Sequence, residues 1–454
     1  MSRFVQIRDR KVNLRTEIPG PHSRELRRAE DEVLAPGLQN YALLAGIVVA
    51  RAEGCTITDV DGNRLLDIIG GIAVGGIGHS HPEWVRAVSE QAATMAVGSY
   101  TSPARIDLLD RLNRHAPAAD MRRAQLYSSG AEAVESALRL AKSHTGKHEF
   151  VSFSGGFHGK TMGVLSLMGS AFKDDFGPFA PGSHTVPYAD CYRCPLRLTY
   201  PSCDLACVDE ARRQLKRDSA GAIAAFLVEP MQGTAGNIIP PRSWLPQIAA
   251  LAKEFDALLI VDEMITGFGR TGTYWATEHS GVEPDIVTLG KQFGGGFPIS
   301  AIMARESIVH AKPWSMPSGS STSYGGNSLA AAAAATTLRI IDEARLVENS
   351  RTVGADFLQA LAAFVERYPF VGKIDGRGLL IGIQLVKDKA TREPMSQAAT
   401  RRLFDECLRR GLLTMAYAAN FRIQPAMIID RATIQEVMGL LTEAFDALAA
   451  SGWR

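Results

Sequence analysis

From about residue 80 onward, short apolar segments alternate with longer segments of helical periodicity. The apolar segments AAFLVEP, ALLIVDE and DIVTLGK have helical segments such as LPQIAALAKEFD among them. Strands that are apolar on both faces and alternate with helices are typical of a mostly parallel sheet with helices on both sides. The sequence therefore predicts an α/β fold for this part of the chain.

The 454 residues exceed the size at which one hydrophobic core stops growing, which predicts two domains. The segment TITDVDGNRLLDI at 56–68 predicts a hairpin with its turn at Asp61-Gly62-Asn63. Beyond residue 347, helices and short strands such as GLLIGIQLV predict a smaller α+β region. We expect an N-terminal arm and part of a small domain in 1–75, a large domain in 76–340, and the rest of the small domain in 341–454.

Composition excludes several classes of protein. The net charge of +1 favours binding to neither nucleic acid nor an anionic membrane. No segment has the eighteen or so apolar residues that span a bilayer, and the polar N-terminus does not resemble a secretory signal. We therefore expect a cytoplasmic enzyme or binding protein.

Chemically active side chains follow two of the predicted strands. Asp262 and Glu263 end one strand, and Lys291 ends the next one, directly before the glycines of KQFGGGF. Each alone is usually a helix cap or a solvated side chain. Together, at one edge of a sheet, an amine nucleophile and a carboxylate suit a cofactor with a basic pyridine ring, which the carboxylate keeps protonated.

A phosphate site is predicted where the strand AQLY runs through Ser128, Ser129 and Gly130 into a helix. Helix N-termini favour anions, although the alternative is an ordinary serine cap. A second Ser/Gly loop, SSTSYGGNS at 320–328, also precedes a helix.

One glycine pattern supports an alternative function. Gly267, Gly269 and Gly272 match a dinucleotide-binding fingerprint, which would make the chain a nucleotide-binding protein. We reject this match because TGTYWATEHSG, the segment that follows, does not predict a helix, and because the preceding acidic pair would repel a pyrophosphate.

Longer motifs carry a family resemblance from about residue 40 to the end. The most specific is VDEMITGFGRTGTYWATEHSGVEPDIVTLGKQFGGGFP, with support from GIGHSHPEWVRAV, YSSGAEAVESALRLA, SGGFHGKT, VEPMQGTAG, SYGGNSLAAAA and NFRIQPAM. The chain resembles class III aminotransferases, which are pyridoxal-phosphate (PLP) enzymes of fold-type I. The resemblance implies a large domain with a seven-stranded, mostly parallel sheet and a small α+β domain built from both termini.

The resemblance also implies roles for individual residues. Lys291 corresponds to the Schiff-base lysine that moves protons, and Asp262 corresponds to the partner of the pyridine nitrogen. The remaining implied cofactor contacts are Ser129, Gly130 and Ala131 at the phosphate, Phe157, His158 and Met264 around the ring, and Ser323 or Thr322 reaching the phosphate of the other subunit. An active site shared in this way implies a homodimer.

Substrate contacts follow from the same resemblance. Arg422 corresponds to the arginine that grips an α-carboxylate, and Glu229 to a glutamate that pairs with it. Lys160 stands where the 4-aminobutyrate branch has arginine, which disfavours that substrate. The predicted reaction is ping-pong transfer from an amine or amino acid to an oxo acid, 2-oxoglutarate or pyruvate. The alternatives are an amino-acid racemase or epimerase of the same family, or a protein that keeps the fold only as a structural partner.

Four of the six cysteines cluster in PYADCYRCPLRLTYPSCDLACVDEA. We predict no metal in this protein, and Cys191, Cys194, Cys203 and Cys207 are the candidate ligands if there is one. Free thiols or a loop at a dimer interface are the other interpretations of this segment.

Overall fold

The computed structural model describes residues 10–96, 98 and 100–453. The chain divides into two compact units, which we call the terminal unit (Met1–His81 with Asn349–Arg454) and the central unit (Pro82–Glu348). No helix among the described residues is long and apolar enough to cross a membrane.

The terminal unit begins with two helices and a three-stranded antiparallel ribbon. Its elements before residue 82 are α1 (Pro21–Asp31), α2 (Asn40–Ala45), β1 (Val49–Glu53), β2 (Thr56–Asp59), β3 (Arg64–Asp67) and α3 (Gly70–Ala73). The predicted hairpin is confirmed as β2–β3. Its turn forms because Gly62 takes a φ of 84°, and the Asp59 carboxylate accepts from the amides of Asp61 and Asn63.

The central unit contains the predicted alternation of strands and helices. Its elements are α4 (Pro82–Thr94), α5 (Pro103–Arg114), β4 (Arg123–Tyr127), α6 (Gly130–Thr145), β5 (Glu149–Phe153), α7 (Met162–Leu165), β6 (Ser183–Val186), α8 (Ala206–Asp218), β7 (Ile223–Val228), α9 (Trp244–Glu254), β8 (Leu258–Asp262), β9 (Ile286–Leu289), β10 (Ser300–Ala304), α10 (Glu306–Val309) and α11 (Ser328–Glu343). Short 3-10 helices cover Ala171–Lys173, Ala276–His279 and Lys291–Gly294.

These strands form one seven-stranded sheet in the order β4-β10-β9-β8-β7-β5-β6. The strands from β9 to β6 in this order are parallel, and β10 is antiparallel to both β9 and β4. The mostly parallel sheet that the sequence predicted is confirmed. Because β10 is antiparallel to both of its neighbours, β4 runs in the same direction as β9. The carboxyl end of β4 therefore lies at the same edge as those of the parallel strands.

Both faces of the sheet are buried, as the apolar strands predicted. Along β7, Phe226 and Val228 pack into one core cluster with α8 and α9, whereas Ala225 and Leu227 pack into another with α6. Successive residues of a strand point to opposite faces, so a strand covered by helices on both sides must be apolar throughout.

The rest of the terminal unit begins at Asn349, in the first turn of α12 (Leu346–Arg367). Its other elements are β11 (Val371–Arg377), β12 (Leu380–Leu385), α13 (Gln397–Arg409), β13 (Leu412–Leu413), β14 (Asn420–Ile423) and α14 (Arg431–Ser451). One sheet has the order β11-β12-β14, and the other joins β13 to the ribbon in the order β1-β2-β3-β13. Since β13 pairs with β3, both ends of the chain contribute to one small sheet.

Candidate active site

Five of the predicted site residues lie at the carboxyl ends of four neighbouring strands of the central sheet. Lys291 follows β9 by two residues, Asp262 is the last residue of β8, and Glu229 directly follows β7. The loop after β5 carries Phe157 and His158. Because β9, β8, β7 and β5 are adjacent and parallel, their carboxyl ends lie side by side, where ligands of α/β sheets bind.

The backbone conformation at Gly290 and Lys291 is tightly constrained. Lys291 has a φ of 47°, in the left-handed region, which costs a residue with a side chain about 1–2 kcal/mol. A Cβ on the preceding Gly290 would lie 2.5 Å from Sδ of Met264, so only glycine fits. Strained backbone is concentrated at functional sites, and here it fixes the point at which the lysine side chain begins.

Met264 connects the lysine to the predicted phosphate cup. Its side chain is 8% exposed, and its Sδ would lie 3.2 Å from a Cβ placed on Gly130 at the start of α6. The sulfur therefore fills the space between α6 and the Gly290 turn. The contact of Met264 with the cofactor ring stays a prediction.

Asp262 and His158 form a buried pair. Nδ1 of His158 lies 2.7 Å from Oδ2 of Asp262, and Oδ1 of Asp262 accepts from the Met264 amide at 3.0 Å. The Asp262 and His158 side chains are 2% and 1% exposed. Nε2 of His158 is buried and has no hydrogen-bond partner in the described part of the chain. The carboxylate is therefore held in one orientation with lone pairs left for a cationic N–H group.

The predicted phosphate cup lies at the N-terminus of α6, a helix of sixteen residues. Ser129 caps it, since Oγ accepts from the Glu132 amide and the Glu132 carboxylate accepts from the amides of Ser128 and Ser129. The Ser129 hydroxyl proton is left to donate outward. Ser129 is exposed and both Gly130 and Ala131 are half-buried, so this helix end is open to an anion.

The loop after β5 packs against this cup. A Cβ on Gly159 would lie 2.7 Å from Cβ of Ala131, so the glycine allows the loop to approach α6 closely. Phe157 meets Phe172 edge to face, with 5.5 Å between ring centroids, and Nζ of Lys160 lies 5.0 Å from the Phe172 ring centroid. Lys160 and Phe172 are both exposed. Phe172 therefore lies next to two predicted site residues, and the sequence analysis did not identify Phe172 itself.

Glu229 connects the loop after β5 to the segment after β7 through two hydrogen bonds. Oε1 accepts from the Phe157 amide and Oε2 from the Gly233 amide, both at 2.9 Å. Burial raises the pKa of the Glu229 carboxyl above its usual value. To pair with Arg422, as the resemblance implied, the carboxylate would have to share or give up these amides. That pairing stays a prediction, and the geometry in the central unit favours a supporting role for Glu229.

The second Ser/Gly loop lies beside β4. Oγ1 of Thr322 accepts from the Gly325 amide at 2.9 Å, which forms a tight turn, and Ser323 is exposed. A Cβ on Gly325 would lie 2.3 Å from the Leu126 carbonyl oxygen, so the turn packs directly on β4. The contact of Ser323 with the phosphate of another subunit stays a prediction.

Arg422 belongs to the terminal unit. It lies on β14, where its register partner is Gly382 of β12, and it also bridges to Met415. Its residue surface is 8% exposed. The contribution of Arg422 to substrate binding stays a prediction.

The rejected dinucleotide fingerprint is not a nucleotide site of the usual form. The segment from Met264 to Thr271 consists of turns, and the next helical residues are the 3-10 helix Ala276–His279. Gly267, Gly269 and Gly272 are buried in this turn region. No helix therefore opens directly on these glycines, which confirms the reason for rejecting the match.

One further polar residue at the site, Glu132, could have been recognised from sequence. Glu132 completes the pattern Ser-x-x-Glu of a capping box. Glu263 follows Asp262 and is completely buried, with Oε1 accepting from the Thr277 amide at 3.0 Å and Oε2 from the Thr266 hydroxyl. Ser300 of β10, which donates to the Ser129 carbonyl at 2.6 Å, has no sequence signal.

Glu263 gives a prediction about stability and pH. Burial raises the pKa of Glu263 from 4.5 to about 7, so between these values the unfolded chain ionises first and folding weakens as pH rises. We expect Glu263→Gln to match the wild type near pH 4.5 and to exceed its unfolding free energy by up to about 3 kcal/mol at pH 8. Thermal unfolding of both proteins across this range measures the difference.

Glu254→Gln is the matched control. Glu254 is paired with Arg212 and Lys216, which lower the pKa of its carboxyl, so its neutralisation removes a small stabilisation above that pKa. A Glu263→Gln protein whose stability relative to the wild type does not change between pH 4.5 and 8 would contradict the prediction.

The residues at this edge fit PLP. A buried carboxylate with free lone pairs suits a pyridinium, the open start of α6 suits a phosphate, and the lysine at the adjacent strand end suits an aldehyde. The sequence profile described as "Aminotransferase class-III" matches residues 39–445. The chain belongs to the class III aminotransferase family. PLP is therefore its cofactor, and it is a PLP-dependent transaminase by class.

Individual relatives agree with this membership. The chain is 33% identical over 428 residues to the diaminobutyrate–2-oxoglutarate aminotransferase of Rhizobium meliloti (strain 1021), with 90% of each chain covered. It is 32% identical to a leucine/methionine racemase of Thermococcus litoralis, with 88% of this chain and 90% of the racemase covered. The PLP-bound amine transaminase of an uncultivated Pseudomonas species is 31% identical, with a TM-score of 0.86 over 92% of this chain and 99% of that chain. The fold is thus the fold-type I transaminase fold that the sequence predicted.

Proposed function

We propose that this aminotransferase moves an amino group from an amine or amino acid to an oxo acid, 2-oxoglutarate or pyruvate, in a ping-pong cycle. The observation that carries the proposal is the placement of Lys291 and Asp262 at adjacent strand ends, with His158 holding the carboxylate. This arrangement provides a base and an anchored anion on neighbouring strands of a single sheet.

Each residue has a defined task in this proposal. Asp262, fixed by His158 and the Met264 amide, keeps the pyridine nitrogen of the cofactor protonated. Bound PLP supplies an electron sink that makes the proton on the substrate Cα acidic. Nζ of Lys291 would hold the cofactor before the substrate arrives and would then accept and return that proton as the acid–base group.

The remaining contacts position the cofactor. The amides of Gly130 and Ala131 and the hydroxyl of Ser129 bind the phosphate at the start of α6. Phe157 and Met264 would lie against the two faces of the ring and would exclude water from it. Glu229 keeps Phe157 in place through the Phe157 amide.

We further propose a homodimer in which Ser323, with Thr322 behind it, reaches the phosphate of the second copy. The exposure of Ser323 and of the neighbouring Tyr324 supports this arrangement. We propose residues 76–340 as the cofactor domain and 1–75 with 341–454 as the smaller domain. In this scheme Arg422 binds the α-carboxylate of the amino acid or oxo acid through its planar guanidinium.

The function is tested by measuring, in the same reaction, the products formed and the enantiomeric composition of the amino-acid donor. The purified holoenzyme is incubated with a panel of amines, diaminobutyrate, 4-aminobutyrate and leucine, each with 2-oxoglutarate or pyruvate. We expect a new amino acid and a new carbonyl compound in equal amounts. The relative named as a racemase supplies the opposing outcome: exchange of leucine enantiomers without any oxo acid would overturn the proposal.

The same panel tests whether Lys160 contacts the far end of the donor. Lys160 is exposed and lies over Phe172 beside Phe157. An anionic group at the far end of a donor would therefore form an ion pair with its ammonium group. We expect Lys160→Ala to raise KM for donors with a distal carboxylate and to leave KM for uncharged amines unchanged. Equal changes in KM for both classes of donor would exclude recognition of the donor's distal carboxylate by Lys160.

A further inference from the structure

The longest irregular connection near the active-site edge joins β6 to α8. Residues 187–205 contain neither helix nor strand. Loops longer than about 12–15 residues without secondary structure are uncommon in compact domains and are usually functional. This one begins with Tyr188, whose hydroxyl lies 3.2 Å from the Glu229 carbonyl and 3.3 Å from that of Pro230. Its conformation is therefore linked to the strand end that carries Glu229.

All four cysteines of the CYRCP…SCDLAC segment converge in this connection. Cys191 and Cys194 lie in its first half, Cys203 lies near its end, and Cys207 lies in the first turn of α8. They line one small cavity of about 20 Å³, together with Tyr188 and Asp190. A space of about 10–15 Å³ is enough for a water molecule, so this cavity has the size of one small bound species.

All four thiols are at least partly buried. Cys207 is 8% exposed and packs into the core cluster under the sheet, while the other three are half-buried. No disulfide joins any of the six cysteines, all of which lie in the described part of the chain.

We propose that Cys191, Cys194, Cys203 and Cys207 bind one divalent transition-metal ion, zinc or iron, as a structural site that ties the 187–205 loop to α8. Four thiolates in a tetrahedron, with metal–sulfur distances of about 2.3 Å for zinc, form a closed structural site. Each thiol releases its proton to solvent on binding, and the cation removes the repulsion between the sulfurs.

Binding requires local side-chain movement. Among residues 10–96, 98 and 100–453, no three cysteine, histidine or acidic side chains are already grouped to hold a metal ion. Binding therefore requires that the thiols rotate about their Cα–Cβ bonds toward the cavity. Because three of the four belong to loop or turn residues, their backbone can follow.

The test measures metal in the untagged holoenzyme, purified without chelator. We expect about one zinc or iron ion per chain by elemental analysis after dialysis. Cobalt added to the reduced, metal-free protein should produce the visible absorption of a tetrahedral cobalt–thiolate site. The double variant Cys194→Ser/Cys203→Ser should lose at least about nine-tenths of the metal, since zinc then lacks two thiolate ligands. Bound PLP reports whether the variant is folded.

Cys55→Ser is the matched control, because Cys55 is a mostly buried cysteine of the terminal unit and lies outside the cluster. It should keep the metal content of the wild type. The cobalt measurement on the wild type keeps the proposal testable even if the double variant does not fold. Metal-free wild type that shows no cobalt–thiolate absorption, metal that remains in a folded double variant, or intact masses showing disulfides within the cluster would each overturn the proposal.

Discussion

Lys291→Ala is expected to lower the rate of amino transfer by at least about 10³-fold. A positioned acid–base group contributes about 10²–10⁴-fold to a proton transfer, and this variant loses that group together with the covalent anchor of the cofactor. The rate is measured in a single half-reaction with excess donor, as the cofactor changes from its pyridoxal to its pyridoxamine form. Borohydride treatment followed by intact mass analysis provides a second measurement, since only the wild type should retain covalently bound cofactor.

Lys253→Ala is the matched control for this experiment. Lys253 is an exposed lysine near the end of α9, and it has no part in the proposed mechanism. Its replacement should leave both measurements within about twofold of the wild type, as is usual for surface substitutions. If Lys291→Ala transferred amino groups at a comparable rate, the proposed mechanism would be wrong.

Asp262→Asn is expected to lower kcat/KM by about 10- to 150-fold. A hydrogen bond to a charged group is worth about 1.5–3 kcal/mol, and asparagine cannot keep the pyridine nitrogen protonated. The variant also weakens the bond to Nδ1 of His158, so the ring loses its fixed partner. Steady-state kinetics per mole of bound PLP separate this effect from loss of cofactor.

Asp285→Asn makes the same chemical change at the opposite end of the sheet. Asp285 directly precedes β9, where Oδ2 accepts from the Leu259 amide at 2.8 Å and Oδ1 lies 3.3 Å from Nε of Arg305. The variant should keep kcat/KM within about twofold, because a group at that end lies away from the cofactor edge. Equal losses in Asp262→Asn and Asp285→Asn would mean that Asp262 acts through stability alone.

Several features of the site could be predicted because they depend on short segments. Asp262 and Lys291 each end an apolar strand, and parallel strands place their carboxyl ends at one edge. The N-terminus of α6 is encoded by Ser129 with Glu132 three residues later. The Asp61-Gly62 turn is encoded by a glycine that accepts a positive φ.

Other features could not be predicted because they depend on packing between distant segments. Phe172 lies on a 3-10 helix, and only the folded chain brings it to Phe157 and Lys160. The Ser300 hydroxyl reaches the Ser129 carbonyl across 171 residues of sequence. The sequence pattern placed Glu229 at a strand end, but only the fold shows which amides its two oxygens accept.

The amino-acid sequence alone determined the α/β class, the family and the position of Asp262 and Lys291 at strand ends, because strand periodicity and strand-end residues are local properties. The tertiary structure alone decided that Met264 fills the gap between Gly130 and Gly290, and that four cysteines from one irregular loop and its helix line a single cavity. The physical reason is that side-chain contacts follow from how elements pack against each other, which the spacing of residues along the chain does not specify.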